Sequence, residues 1–439
     1  KMFAHTVAPG ETLISIGNEY GLSPQYIQNT NLLPNPNNLV VGQNILIIYP
    51  RVTHTVKEGD SLLSIAQMHS ISVEDILRNN PVLSIIPEIY PGDEIVIEYD
   101  ESPLKEAVSN GYTYGGLSGT ELRLTLPYLT FVSPFTYGVN SDGSLIRANA
   151  ENTILSTSFY SAKPLLHLST LTVSGEFNTA NATVILNNTD LQYTLAQNLL
   201  NEIRYYGYSG LDIDFEFINP SDSENYANLI ELLKNFLNPY GYIVIAALAP
   251  KTSADQRGVL YEGHNYAKIG AAANLSFVMT YEWGYTYGPP MAVSPIESVK
   301  RVLNYAVTEI PSQKILMGMP TYGYNWTLPY VRGGPPAQSI SNIEAIQTAL
   351  QYGAEIKYDE YTQSPYFYYT DENNLMHEVW FEDAKSSLAK HRLIYDYMLS
   401  GCGYWNLERP FPQNWMILNN MYTIYNYSSY NVSRLLYGI

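Results

Sequence analysis

Acids and apolar residues alternate through Gly210-Leu211-Asp212-Ile213-Asp214-Phe215-Glu216-Phe217. On a β-strand successive side chains point to opposite faces, so Asp212, Asp214 and Glu216 form one row and Leu211, Ile213, Phe215 and Phe217 the other. At about 3.3 Å rise per residue, Asp214 and Glu216 are roughly 6–7 Å apart along the strand. Carboxylates crowded together out of water resist ionisation, because burial and neighbouring charge both penalise the charged form. Such a row suits general acid–base chemistry. Glu216, last in the row and nearest the open end of the strand, is placed to hold a proton near neutral pH until it meets a bridging oxygen of a substrate.

The surrounding elements decide whether that row is buried. Past residue 110, apolar runs of strand length alternate with helical patterns. Candidate strands lie at Tyr112–Gly116, Tyr128–Tyr137, Leu165–Leu171, Leu211–Phe217, Ile243–Ala249, Ser276–Tyr281, Ile315–Tyr322 and Gly403–Asn406. This α/β order predicts a parallel sheet, and eight strands suit a (β/α)8 TIM barrel with its chemistry at the strands' C-terminal ends; a doubly wound open sheet is the alternative. The fourth strand of such a barrel meets helices on one side and the barrel interior on the other. Its acids therefore have no solvated face to explain them, and function does. The Tyr-rich interval 330–377 exceeds a helix in length and reads as a small α+β insertion walling one side of the cleft. His167, on an apolar strand, reads as a core histidine, while Trp326 and Trp380 either line the cleft or pack the insertion.

The N-terminal hundred residues carry a repeat with a period of 49. His5-Thr6-Val7, Gly10, Leu13, Ser15, Ile16, Ile27 and Asn31 recur as His54-Thr55-Val56, Gly59, Leu62, Ser64, Ile65, Ile76 and Asn80. Each copy reads as strand, helix, helix, strand, giving βααβ units at 2–50 and 51–100. The polar stretch 101–110 reads as a linker, and 111–439 as the barrel.

Composition narrows the function classes. The chain has 439 residues, a net charge of -18, 40 tyrosines and one cysteine, Cys402. The charge disfavours nucleic acid and anionic membranes, whose binding needs Lys and Arg. One cysteine forms no intrachain disulfide and gives no metal-ligand spacing, so no metal and no cofactor are expected. Tyrosine faces suit sugar rings, although many tyrosines simply pack the core. No membrane span and no signal peptide are visible. A monomer is expected.

The two repeats resemble the LysM module, through His54-Thr55-Val56-x-x-Gly59-Asp60-Ser61-Leu62-x-Ser64-Ile65, Asn79-Asn80-Pro81 and Tyr90-Pro91-Gly92-Asp93. That resemblance implies binding to N-acetylglucosamine polymers, peptidoglycan or chitin. The remainder resembles family 18 glycoside hydrolases. The resemblance rests on Asp212-x-Asp214-x-Glu216, Met279-Thr280-Tyr281-Glu282, Gly318-Met319-Pro320-x-Tyr322-Gly323 and Trp405. It implies a substrate-assisted retaining mechanism, in which the substrate's own acetamido oxygen attacks the anomeric carbon. Glu216 would be the acid and then the base, Asp214 would orient the acetamido group with Asp212 behind it, and Tyr281 would hold the acetamido oxygen. Trp405, Glu282, Met279, Tyr322 and Trp326 would bind substrate. Departures from the family pattern are Ser209 for its first acid, Glu282 for an aspartate, and His167-Leu168-Ser169-Thr170 for Ser-x-Gly-Gly. The pairing of modules and barrel resembles the cortex-lytic enzymes of spore-forming bacteria. The expected activity is an N-acetylglucosaminidase acting on peptidoglycan in a spore or cell wall; a chitinase and a non-catalytic glycan-binding lectin are the alternatives.

Overall fold

The computed structural model describes residues 1–172, 174–428 and 431–438. Strand one of the barrel is Lys105–Thr113, strand two Phe131–Pro134, strand three Leu166–Ser169 and strand four Gly210–Asp214. Strands five to eight are Ile243–Leu248, Leu275–Val278, Ile315–Pro320 and Gly401–Trp405. From three to eight each pairs in parallel with the next, eight pairs with one and one with two. The ring closes through Lys163–Pro164, which pairs with strand two, and through a Tyr137–Leu168 bridge. This is the (β/α)8 barrel.

Period-two patterning sorts the side chains. Ile243, Ile245 and Ala247 of strand five pack inside with Val108, Phe277 and Leu316. Val244, Ala246 and Leu248 face outward, in one core with Leu229, Ile230 and Leu233 of the helix Ser223–Leu237. In strand four Leu211 and Ile213 likewise join the helices, which leaves Asp212 and Asp214 for the interior.

Three expectations are corrected. The stretch 101–110 is not a linker throughout, because strand one begins at Lys105. Its polar residues are buried and find partners on other elements: Ser109 Oγ donates to the Tyr128 carbonyl at 2.7 Å, and Asn110 lies beside Ser133 and Asp212. Strand four ends at Asp214, so Glu216 and the exposed Phe217 lie past the ladder, on the rim. The insertion is wider than 330–377. Strand seven stops at Pro320 and the chain passes directly into Tyr322–Thr327, the second strand of a five-stranded antiparallel sheet that runs on to Trp380.

Both N-terminal units are βααβ, closed by antiparallel pairing of Phe3–Thr6 with Asn44–Ile47 and of Pro50–Thr55 with Glu94–Tyr99. The repeated residues are the ones that hold this shape. Thr12 and Ser61 cap the first helices in reciprocal pairs with Ser15 and Ser64. Asn31 and Asn80 each tie the end of the second helix to the closing strand, donating to Leu46 and Val96 carbonyls and accepting from the same residues' N–H. His5 meets Glu11, and His54 meets Asp60, each at 2.9 Å.

The units are docked on the barrel. Leu46, Ile48, Val96 and Tyr99 share a buried core with Ala384, Met416 and Ile417. Asn44 donates to Asp383 at 2.5 Å and Gln413 to Asn31 at 3.1 Å, both out of water. The second unit adds Arg78 to the Pro127 carbonyl at 3.0 Å and Ser161 to Glu74 at 2.6 Å. The first also meets the insertion, where Ile356 N–H donates to the Val41 carbonyl at 2.9 Å.

Candidate active site

Asp212 is fully buried, and its Oδ2 accepts from Ser133 Oγ at 2.9 Å and Asn110 Nδ2 at 3.2 Å. One pleat up, Asp214 Oδ2 lies 3.4 Å from His167 Nε2. Register explains the approach, since His167 pairs with Asp212 and Ser169 with Asp214 across strands three and four. His167 Nδ1 is 2.6 Å from Thr136 Oγ1. Burial holds the His167 pKa below that of free imidazole, so the ring is neutral at neutral pH. Oδ1 of both aspartates and Nε2 of His167 lack hydrogen-bond partners, although all three are buried. Such atoms are costly in a core and are tolerated where a substrate supplies the partner.

Glu216 stands at the rim because the chain is clamped just before it. The Phe215 N–H donates to the Tyr226 hydroxyl at 3.2 Å, and the Phe215 carbonyl accepts from His264 Nε2 at 2.8 Å. His264 Nδ1 in turn accepts from the Ala249 N–H at 2.9 Å, which fixes its hydrogen on Nε2. Burial raises the Asp212 pKa. It raises those of Asp214 and Glu216 too, and the Asp214 charge pushes Glu216 further up. Glu216 is thus an acid that keeps its proton.

Strand six delivers the opposite wall. Past its end Met279 and Tyr281 turn toward the acids, and Gly318 leaves the room: a Cβ there would stand 2.8 Å from the Tyr281 ring. A cavity of about 530 Å³ joins Asp214, Glu216, Met279, Tyr281, Glu282 and Trp405. Trp405 lies at ring-centroid distances of 5.2 Å from Phe135 and 5.5 Å from Tyr114. Glu282 holds a left-handed backbone, φ 68°, and accepts from the Tyr322 hydroxyl and, at 2.8 Å, from the Tyr324 hydroxyl. A strained residue whose side chain is tied down on both sides marks a site under functional constraint.

Seven of the nine candidates read from the sequence therefore converge, Asp212 beneath the cavity and six on its wall. Tyr322 lines an adjoining groove and is joined to the site by the bond from its hydroxyl to Glu282. Trp326 is elsewhere. It is buried among Ala292, Val293, Tyr324 and Trp380, and its indole N–H donates to the Gly288 carbonyl at 2.9 Å, so it packs the insertion. Sequence reasoning missed Tyr114, Phe135, Phe177 and Trp283 on the wall. Position just past a barrel strand could have flagged Tyr114 and Phe135; an isolated loop aromatic such as Phe177 carries no pattern.

Residues 157–409 match the pattern of glycosyl hydrolases family 18. The chain belongs to that family. Residues 5–47 and 54–98 match the LysM domain. The chain is 37% identical to the cortical fragment-lytic enzyme of Bacillus subtilis (strain 168), over 96% of this chain and 99% of that one. It superimposes on the crystal structure of the Bacillus megaterium QM B1551 spore cortex-lytic enzyme SleL with a TM-score of 0.81 at 38% identity, covering 96% of this chain and 98% of that one. The fold also extends to a chitinase from Chromobacterium violaceum ATCC 12472, with a TM-score of 0.64 at 24% identity over 72% of this chain and 98% of that one. A barrel of this family with an acid poised at its rim is a glycosidase.

Proposed function

We propose that this glycosidase cuts β-1,4 bonds that follow N-acetylglucosamine in peptidoglycan or its fragments, with the two LysM modules gripping the same polymer. The observation that carries the reading is the pair Asp214 and Glu216 facing one aromatic-walled cavity with Tyr281 and Trp405. Near relatives named for lysis of spore cortex or its fragments support the substrate and a location in spore cortex or cell wall.

Glu216, protonated, donates to the glycosidic oxygen as the bond to C1 breaks. Asp214 and Glu216 come from one stretch of chain, so Asp214 is poorly placed to attack C1 from the opposite face as a nucleophile must. The acetamido carbonyl oxygen of the bound sugar attacks instead. Asp214 accepts its N–H, which favours the cyclic oxazolinium ion, and the Tyr281 hydroxyl orients the carbonyl. Asp212 backs Asp214, and Trp405 floors the sugar. Glu216, now a carboxylate, takes a proton from water as that water opens the ring, and the configuration at C1 is retained.

The test is product analysis by mass spectrometry on cortex peptidoglycan and on chitin, with a glycan whose cleavable sugar lacks its acetyl group as control. Release of fragments ending in N-acetylglucosamine is expected, with inhibition by a thiazoline analogue of the cyclic ion. Rapid cleavage of the deacetylated bond overturns the mechanism, and cleavage of chitin alone overturns the substrate.

A further inference from the structure

The cavity around Glu216 does not end at Trp405. A second hollow of about 330 Å³ shares Tyr114, Glu282 and Trp405 with it and continues past Tyr322 and Tyr324 to Arg409. Glu216 borders only the first hollow and Arg409 only the second, so Arg409 stands across Trp405 from the acid. The leaving group departs on the Glu216 side, and the hollow beyond Trp405 therefore takes the sugar attached on the other side of the one being cut.

Among the described residues bordering either hollow, Arg409 is the only cation. The two acids that share its hollow, Glu282 and Glu408, are both pushed by burial toward holding their protons. Arg409 is held loosely. Its guanidinium reaches Glu344 at 3.4 Å, the Ser339 carbonyl at 3.4 Å and Ser339 Oγ at 3.3 Å, all at the long edge of hydrogen bonding. About a third of the side chain, 31%, is open to solvent. A guanidinium in this state can exchange three weak contacts for one bidentate pairing with a carboxylate. On a protein of net charge -18, a lone cation beside the groove also offsets the repulsion an anionic substrate would meet.

We propose that Arg409 is a specificity residue that binds a carboxylate carried by the sugar next to the one cut. This rests on the peptidoglycan reading above. If N-acetylglucosamine occupies the catalytic cavity, alternation places in the second hollow a sugar whose O3 bears a lactyl ether, ending in its own carboxylate where the glycan is free of peptide and in that of the amide-linked amino acid or peptide where it is not. Chitin has no such group, so Arg409 separates the two polymers.

The experiment compares kcat/KM for three tetrasaccharides. The first begins with N-acetylmuramic acid at its non-reducing end and alternates with N-acetylglucosamine, the second is its methyl ester, with every lactyl carboxyl esterified, and the third is N-acetylchitotetraose. The wild-type enzyme is expected to prefer the free acid to the ester by about tenfold, the size of a charge-assisted bidentate contact, with the preference shrinking as salt is raised. Arg409→Ala should erase that preference and lose about tenfold more on the free acid than on N-acetylchitotetraose, while Arg409→Lys recovers part of it. Equal wild-type rates on acid and ester overturn the proposal without recourse to any variant, as does an equal loss on all three substrates in Arg409→Ala. If the wild-type enzyme cuts only N-acetylchitotetraose, the peptidoglycan reading falls, and this proposal with it.

Discussion

A carboxyl group that burial keeps protonated is a cost to the fold and an asset to the chemistry. Glu216→Gln keeps the shape but has no proton to give, and kcat should fall by about 10²–10⁴-fold with glycan binding retained; near-normal turnover would refute its role. Asp214→Asn should lower kcat far more than it raises KM, as should Tyr281→Phe, because both contacts strengthen as charge develops. Asp214→Asn also removes a charge that raises the Glu216 pKa. The acid limb requires protonated Glu216, so the alkaline edge of the pH–rate profile should move to lower pH in that variant. Stability should move the other way. Burial raises the folded-state pKa of Asp214 above its unfolded value, so whatever stability it confers is present at low pH and lost as pH rises through the folded pKa. Asparagine escapes that loss, and thermal melts above neutral pH should show Asp214→Asn melting higher than wild type while it turns over more slowly.

Single elements set where those groups sit. The Ala249–His264–Phe215 chain ties strand five's end to the rim beyond strand four. His264→Leu should therefore cut kcat through misplacement of Glu216, and His264→Gln, with one donor and one acceptor, should restore much of it. His264 also titrates. Burial lowers its pKa to about 4 in the folded chain, so the unfolded chain takes up its proton first. Its contribution is complete above about pH 6.5 and lost toward pH 4, about 3 kcal/mol in all. The stability gap between wild type and His264→Leu should narrow across that window; a constant gap would rule the assignment out. Trp326→Ala should destabilise by about 3–5 kcal/mol, as for other buried tryptophans. The barrel and the acid row were legible in sequence because period-two patterning and spacing are local signals. The start of strand one was not, since Ser109 and Asn110 make a buried strand look like a polar linker. The site of Trp326 was equally hidden, because an aromatic residue packs a core or a cleft equally well, and only the Gly288 carbonyl across the insertion decides between them.

At the scale of the molecule, the docked modules change what truncation does. A polar connector implies that residues 1–100 can be removed cleanly, yet removal would bare Ala384, Met416 and Ile417 and leave Asp383 Oδ2 and Gln413 Nε2 without their partners. Deleting 1–100 should lower the melting temperature by roughly 5–10 °C, as well as weaken retention on insoluble sacculi; an unchanged melting temperature would mean that the shared core contributes nothing. The same docking has a consequence for what the enzyme can reach. A module on a leash lets a catalytic domain search a volume around each point of attachment, whereas a module fused to its barrel searches none. Grip and cut then happen together only where the polymer conforms to the fixed spacing of the two. In a taut, cross-linked layer few strands can bend so far, while loose pieces conform readily. The slackness of the substrate, as well as its abundance, should then set the rate, with soluble fragments cut faster than intact sacculi.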